Sequence, residues 1–189
     1  DSSASSTNGF LVQLSCIGID KKCQRGLRAS IDPGLSSKGT SLIYSKQGGK
    51  QWQNYVINCA VEPRAGGWFG VRFRYTDRNN YYALEFAPAL KVSRVKKVVG
   101  GVHSMLSVKR SSFSVGDVVT IRIAVEGGQI EVRYAGNITH NVHDFAGIVG
   151  GVLEKGTVGI SNTGTRSHIK SFNVARFLRG QKKIWLKGR

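Results

Sequence analysis

Acidic residues are scarce in this chain. Eleven Asp and Glu stand against 28 Lys and Arg, a formal net charge of +17 over 189 residues. Glycoside hydrolysis needs an acid and a nucleophile or base held about 5–9 Å apart. Here Glu85 stands alone on its stretch and Glu131 alternates with Arg133, so both read as charge partners of a basic face and no catalytic residue is expected. Other shortages narrow the field further. No apolar run is long enough to span a membrane, and the polar opening DSSASSTNG has no charged n-region followed by an apolar h-region. Proline occurs three times and no segment carries a helical period. Cys16 and Cys23 lack CxxC spacing, which speaks against a structural zinc. His140 and His143, with Asp144, are the one tempting histidine group, and they read as an exposed loop pair rather than a metal site.

What is present is alternation. Residues 67–82, GWFGVRFRYTDRNNYY, read as two strands joined by a turn. Phe69, Val71 and Phe73 share one face at period two, and Arg72 and Arg74 project from the other. Asp77, Asn79 and Asn80 supply turn chemistry before Tyr81 and Tyr82 open the second strand. Further strands are predicted over 10–16, 40–44, 55–61, 90–99, 102–108, 118–125, 129–134, 157–162 and 168–177, with Gly100-Gly101 and Gly127-Gly128 as hairpin turns. Residues 18–39, rich in Gly, Ser and Lys, read as a loop containing the Asp32-Pro33-Gly34 turn. Short strands at near-regular spacing, with 24 glycines, predict an all-β protein: one antiparallel sandwich over 10–176. Residues 1–9 are expected to be a flexible N-terminus and 177–189 a basic tail or linker.

The order of the pieces GVRFRY (70–75), DRNNYYAL (77–84), VGDVVTIRI (115–123), GTVGI (156–160) and SFNV (171–174) resembles a concanavalin A-like lectin/glucanase sandwich of the laminin G or thrombospondin N-terminal kind. The resemblance covers roughly residues 55–176 and implies a jelly-roll fold shared by lectins, hydrolases, lyases and adhesion modules. Glycosidases of this fold resemble one another in a Glu-x-Asp-x-x-Glu strand, which this chain lacks. Calcium is a cofactor the resemblance allows, with Asp77, Asn79 and Asn80 as oxygen donors, although turn formation alone explains those residues.

The basic surface is the strongest functional signal. Between residues 91 and 110 there are six basic residues and no acid. Arg72, Arg74, Arg94, Lys96, Lys97 and Arg122 are predicted to merge into one polyanion-binding patch if their strands share a sheet. Thrombospondin N-terminal modules bind heparin, so the resemblance points to an acidic glycan such as heparan sulfate. The alternative partner is an acidic protein surface within a secreted or cell-surface complex. Nucleic acid is disfavoured, because Phe73 and Tyr75 are expected to alternate away from Arg72 and Arg74 instead of forming a stacking platform. Asn137-Ile138-Thr139 is a glycosylation sequon, consistent with a secreted or extracellular location. The cysteines Cys16, Cys23 and Cys59 are odd in number, which leaves one thiol unpaired if any disulfide forms. That thiol is a candidate link to a partner.

Overall fold

A computed structural model of the chain describes residues 10–16, 25–31, 40–43, 49–145, 150–163 and 167–176, with backbone alone for 10–16, 25–31, 40–42 and 176. The first strands are β1 (Phe10–Cys16), β2 (Arg25–Ile31), β3 (Thr40–Ile43) and β4 (Tyr55–Pro63). Five more follow: β5 (Trp68–Asp77), β6 (Asn80–Ala87), β7 (Val92–Val99), β8 (Val102–Arg110) and β9 (Val119–Glu126). The last are β10 (Gln129–Tyr134), β11 (Asn137–His143), β12 (Thr157–Thr163) and β13 (Ser167–Arg176). They form two antiparallel sheets, ordered β11-β10-β9-β4-β13 and β3-β12-β5-β6-β7-β8, and a two-stranded β1-β2 sheet whose β2 lies against β13. The two larger sheets pack face to face, as the sequence predicts.

Period-two alternation builds the core. Val119, Ile121, Ile123 and Val125 of β9 all face inward, as do Phe69, Val71 and Phe73 of β5, and Phe73 stacks on Tyr82 at 5.5 Å between ring centroids. Each such side chain contributes roughly 1.5–3 kcal/mol by leaving water. Gly100 and Gly101 take φ of 57° and 82°, the mirror-image turn a tight β7-β8 hairpin requires.

Three features differ from the sequence reading. Within 18–39, β2 forms and pairs with β1 along its whole length. Residues 137–143 form β11, an edge strand, where a loop was expected. Its polar sequence hides the alternation because His140 occupies an inward position. The strand predicted from residue 90 starts at Val92, after a 3-10 turn over Pro88–Leu90 and a left-handed Lys91.

Candidate ligand-binding face

The outer surface of the six-stranded sheet gathers the polar and aromatic side chains with a shared parity. On β5, Trp68, Gly70 and Arg72 alternate with the buried Phe69, Val71 and Phe73. Register then fixes their neighbours: Gly70 lies opposite Glu85 and Arg72 opposite Ala83, while Glu85 and Ala83 lie opposite Arg94 and Lys96 of β7. On the other side of β5, Gly70 faces Ser161 and Arg72 faces Gly159 of β12.

Glu85 is the centre of an ion-pair lattice. Arg94 donates to its Oε2 from Nε at 2.9 Å and approaches it from Nη2 at 2.8 Å, while Lys96 Nζ lies 2.6 Å from Oε1. The Arg94 guanidinium also lies 3.8 Å from the centroid of the Trp68 ring, a close cation–π contact. Gly70 permits this crowding, since a Cβ there would come within 2.6 Å of Ser161 Oγ and 3.3 Å of Glu85 Cγ. Arg72 is held differently. Its guanidinium lies 4.6 Å from the Tyr81 ring and 5.9 Å from the Tyr75 ring, with no carboxylate at ion-pair distance among the described residues. Burial raises the pKa of the Tyr81 phenol, an effect that Arg72 partly offsets.

The predicted six-residue patch is therefore divided. Arg72, Arg94 and Lys96 share this face; Arg74, Lys97 and Arg122 do not. Arg74 was expected to point outward with Arg72, but the β5-β6 register shifts between Phe73 and Asp77 and Arg74 takes a left-handed φ of 46°. This bulge turns its side chain inward. Its Nη1 donates to the Leu153 carbonyl at 2.8 Å, and its Nε and Nη2 donate to the Gln53 carbonyl at 3.3 and 3.1 Å. Its backbone N–H donates to Tyr55 Oη at 2.7 Å. Gly156 is required beside it, because a Cβ there would sit 2.3 Å from the Arg74 carbonyl carbon.

Lys97 follows Lys96 and therefore faces the opposite way, into the sandwich opposite Tyr82. Its Nζ bonds both Asp144 carboxylate oxygens at 3.0 Å and donates to the Gly151 carbonyl at 2.9 Å. The Tyr82 hydroxyl also donates to Asp144 and accepts from the Leu153 N–H at 3.1 Å. Burial, then the Asp144 hydrogen bond, raises the Tyr82 phenol pKa. Arg122 is on β9, in the other sheet, where it lies 3.5 Å from Glu131. The expectation that these strands share one sheet fails there.

The remaining predicted positions resolve individually. His140 is buried, with Ser93 Oγ 3.0 Å from Nε2 and Ser107 Oγ 2.9 Å from Nδ1, whereas His143 is exposed, so the expected solvent-exposed pair is split between two sides of β11. The Asp77 carboxylate accepts from the Asn79 N–H at 2.7 Å and Asn80 Nδ2 at 3.0 Å, and these bonds, Asn80 first, hold it below the usual carboxylate range. Turn chemistry thus accounts for those residues. Asn137 is exposed at the head of β11. Cys59 is buried with a free thiol, which burial pushes up to about 12. The side chains of Cys16 and Cys23, and the basic tail over 177–189, lie outside the described residues. Sequence reasoning missed Trp68, Glu85, Tyr81 and Ser161 as members of the face, and Tyr75, expected to alternate away from Arg72 with Phe73, is carried onto the same face by the bulge. The signal for Trp68 was available, since it shares its parity with Arg72.

No protein-family model and no curated protein matches the chain. Solved structures do resemble it. The carbohydrate binding module CBM66 from Bacillus subtilis aligns over 88% of this chain and 95% of its own, with 13% identity and a TM-score of 0.63. The galectin LEC-6 of Caenorhabditis elegans aligns over 75% and 93%, with 14% identity and a TM-score of 0.55. A GH43 protein from Bacillus licheniformis shares the fold in part: 80% of this chain matches 33% of that one, at 15% identity and a TM-score of 0.53. The chain has the galectin-like, concanavalin A-type β-sandwich fold.

Proposed function

We propose that this protein is a non-catalytic recognition module that binds an acidic glycan, of the heparan sulfate kind, on the outer face of its six-stranded sheet. One observation carries the reading: Trp68, Arg72, Arg94, Lys96 and the single carboxylate Glu85 converge on that face. Guanidinium groups pair with sulfate or carboxylate in bidentate geometry, and an indole and phenols supply apolar area beside them. The fold neighbour named as a carbohydrate binding module supports a sugar ligand. The laminin G and thrombospondin resemblance of the sequence supports an extracellular setting, as does the sequon at the exposed Asn137.

The charge pattern supports binding without hydrolysis. The described strands of this sheet carry two carboxylates, Asp77 at a turn and Glu85 in the ion-pair lattice. Neither has an acidic partner across the face to share acid–base work.

A second reading, an acidic protein partner, draws on β8. This edge strand exposes Val102, Met105 and Val108 next to Lys109 and Arg110. Heparin-affinity chromatography beside a cation exchanger of matched charge density separates the two. Elution from heparin at clearly higher salt is expected for a structured glycan site. Equal elution from both would reduce the basic surface to nonspecific charge and favour the protein partner.

A further inference from the structure

We infer that the face contains two subsites, and that Arg72 alone seats the ligand's charged substituent, a sulfate or a carboxylate. The group formed by Trp68, Arg94, Glu85 and Lys96 then contacts uncharged hydroxyls. This rests on the glycan reading above and sharpens it.

The two halves differ in how their charge is already spent. Glu85 engages Arg94 through two nitrogens and Lys96 through one, all within 2.9 Å. An incoming anion there must compete with a carboxylate fixed at contact distance. A hydroxyl need not compete, because it can accept from the outer guanidinium edge and donate to a carboxylate lone pair at once. Arg72 has no such internal anion among the described residues. Its directly opposite neighbours are Gly159 and Ala83, the two smallest residue types, so neither of those positions places a charged side chain against it. The rings of Tyr81 and Tyr75, 4.6 and 5.9 Å away, fix its position without neutralising it. A preorganised, uncompensated guanidinium is the donor fork that a planar carboxylate or a sulfate face fits.

Spacing then describes the ligand. Arg72 is opposite Ala83, and Glu85 is two residues further along the same strand, a displacement of roughly 7 Å. The ligand that fits carries its acidic substituent roughly 7 Å from the group contacting Trp68 and Glu85.

The test compares the wild type with Arg72→Gln, Arg94→Gln and, on the opposite sheet, Arg122→Gln. Each is titrated with a heparin-derived tetrasaccharide, with its desulfated form, with its carboxyl-reduced form, and with the form lacking both charges. Arg72→Gln is expected to weaken the fully charged probe about tenfold and to reduce the salt slope by about one counterion. It should leave the uncharged probe unchanged. The desulfated and carboxyl-reduced arms identify the seated group as whichever, once removed, makes wild type and Arg72→Gln bind alike. Charged-probe binding that survives Arg72→Gln but is lost in Arg94→Gln would overturn the division while sparing the glycan reading. Inorganic sulfate, followed through the Arg72 Nε resonance, keeps the two failures apart. If no oligosaccharide binds but sulfate still shifts that resonance, the glycan reading fails and the seat stands. If neither probe acts, both fail.

Discussion

Lys96 and Lys97 are neighbours, and Arg72 and Arg74 are two residues apart, yet each pair is split between the outer face and the interior. On the outer side, Lys96 is paired with Glu85 and largely covered, while Arg72 rests on two tyrosine rings. Inside, Lys97 and Arg74 fasten the segment before β12 to the sheet, through the carbonyls of Gly151 and Leu153. The same residue types thus have opposite duties. A buried charge must be matched in place, because its desolvation cost is large and the removal of one partner strands the other. A surface charge can remain uncompensated and available to a ligand. Net charge therefore says little about a site until the cations have been sorted by side.

The sharpest way to break this comparison is Lys97→Met, which strands the Asp144 carboxylate in the interior. It should cost about 3–5 kcal/mol, lowering the melting temperature by on the order of 10 °C. Adding Asp144→Asn should recover much of the loss. An unchanged melting temperature for the single variant would remove the buried pair from the fold's support. Arg74→Met comes next, at roughly 1–3 kcal/mol, because the Gln53 and Leu153 carbonyls lose their donors. Denaturant unfolding would read both effects. Lys96→Met, the outer counterpart of Lys97, should cost less, about 1–2 kcal/mol, because the largely covered Glu85 keeps Arg94 as a partner.

His140 sharpens the same contrast through pH. Burial, reinforced by Lys109, lowers its pKa from 6.5 to about 4, and Ser93, Ser107 and Tyr134 surround the ring. The unfolded chain therefore binds a proton on this residue at a higher pH than the folded protein does. Stability is expected to be fully retained above about pH 6.5 and to fall as the pH drops toward 4. Unfolding midpoints across that window, compared with His140→Gln, would expose the contribution as a difference in slope; parallel curves would rule it out. The smallest stability effects belong to the surface. Arg72→Gln and Arg94→Gln should elute earlier from heparin with melting temperatures within about 1 °C of wild type. Arg122→Gln should change neither reading, and an equal elution shift would merge the two outer faces into one diffuse cationic surface.

Much of the fold was legible because alternation at period two depends on local sequence alone. Phe69, Val71 and Phe73 point inward as their spacing requires, and the Asp77-Asn79-Asn80 turn closes on its own side chains. β11 was hidden because a neutral histidine, satisfied by two serines, fills a position that sequence reasoning reserves for apolar residues. The candidate site was half legible. Arg72, Arg94 and Lys96 were named from charge; Trp68 shared the Arg72 side of β5 by parity alone, but Glu85 joined them only once the register was known.

The sequence by itself determined an all-β chain, an inward row of apolar residues on strands such as β5 and β9, and a large excess of cations. Tertiary structure decided which cations matter and where. The bulge that inverts Arg74 and the assignment of β9 to the other sheet both depend on contacts between residues far apart in the chain. The pairing of Lys97 with Asp144 depends on such a contact too. Alternation sets which side of its own strand a residue takes, but only strand pairing and sheet packing decide what that side faces.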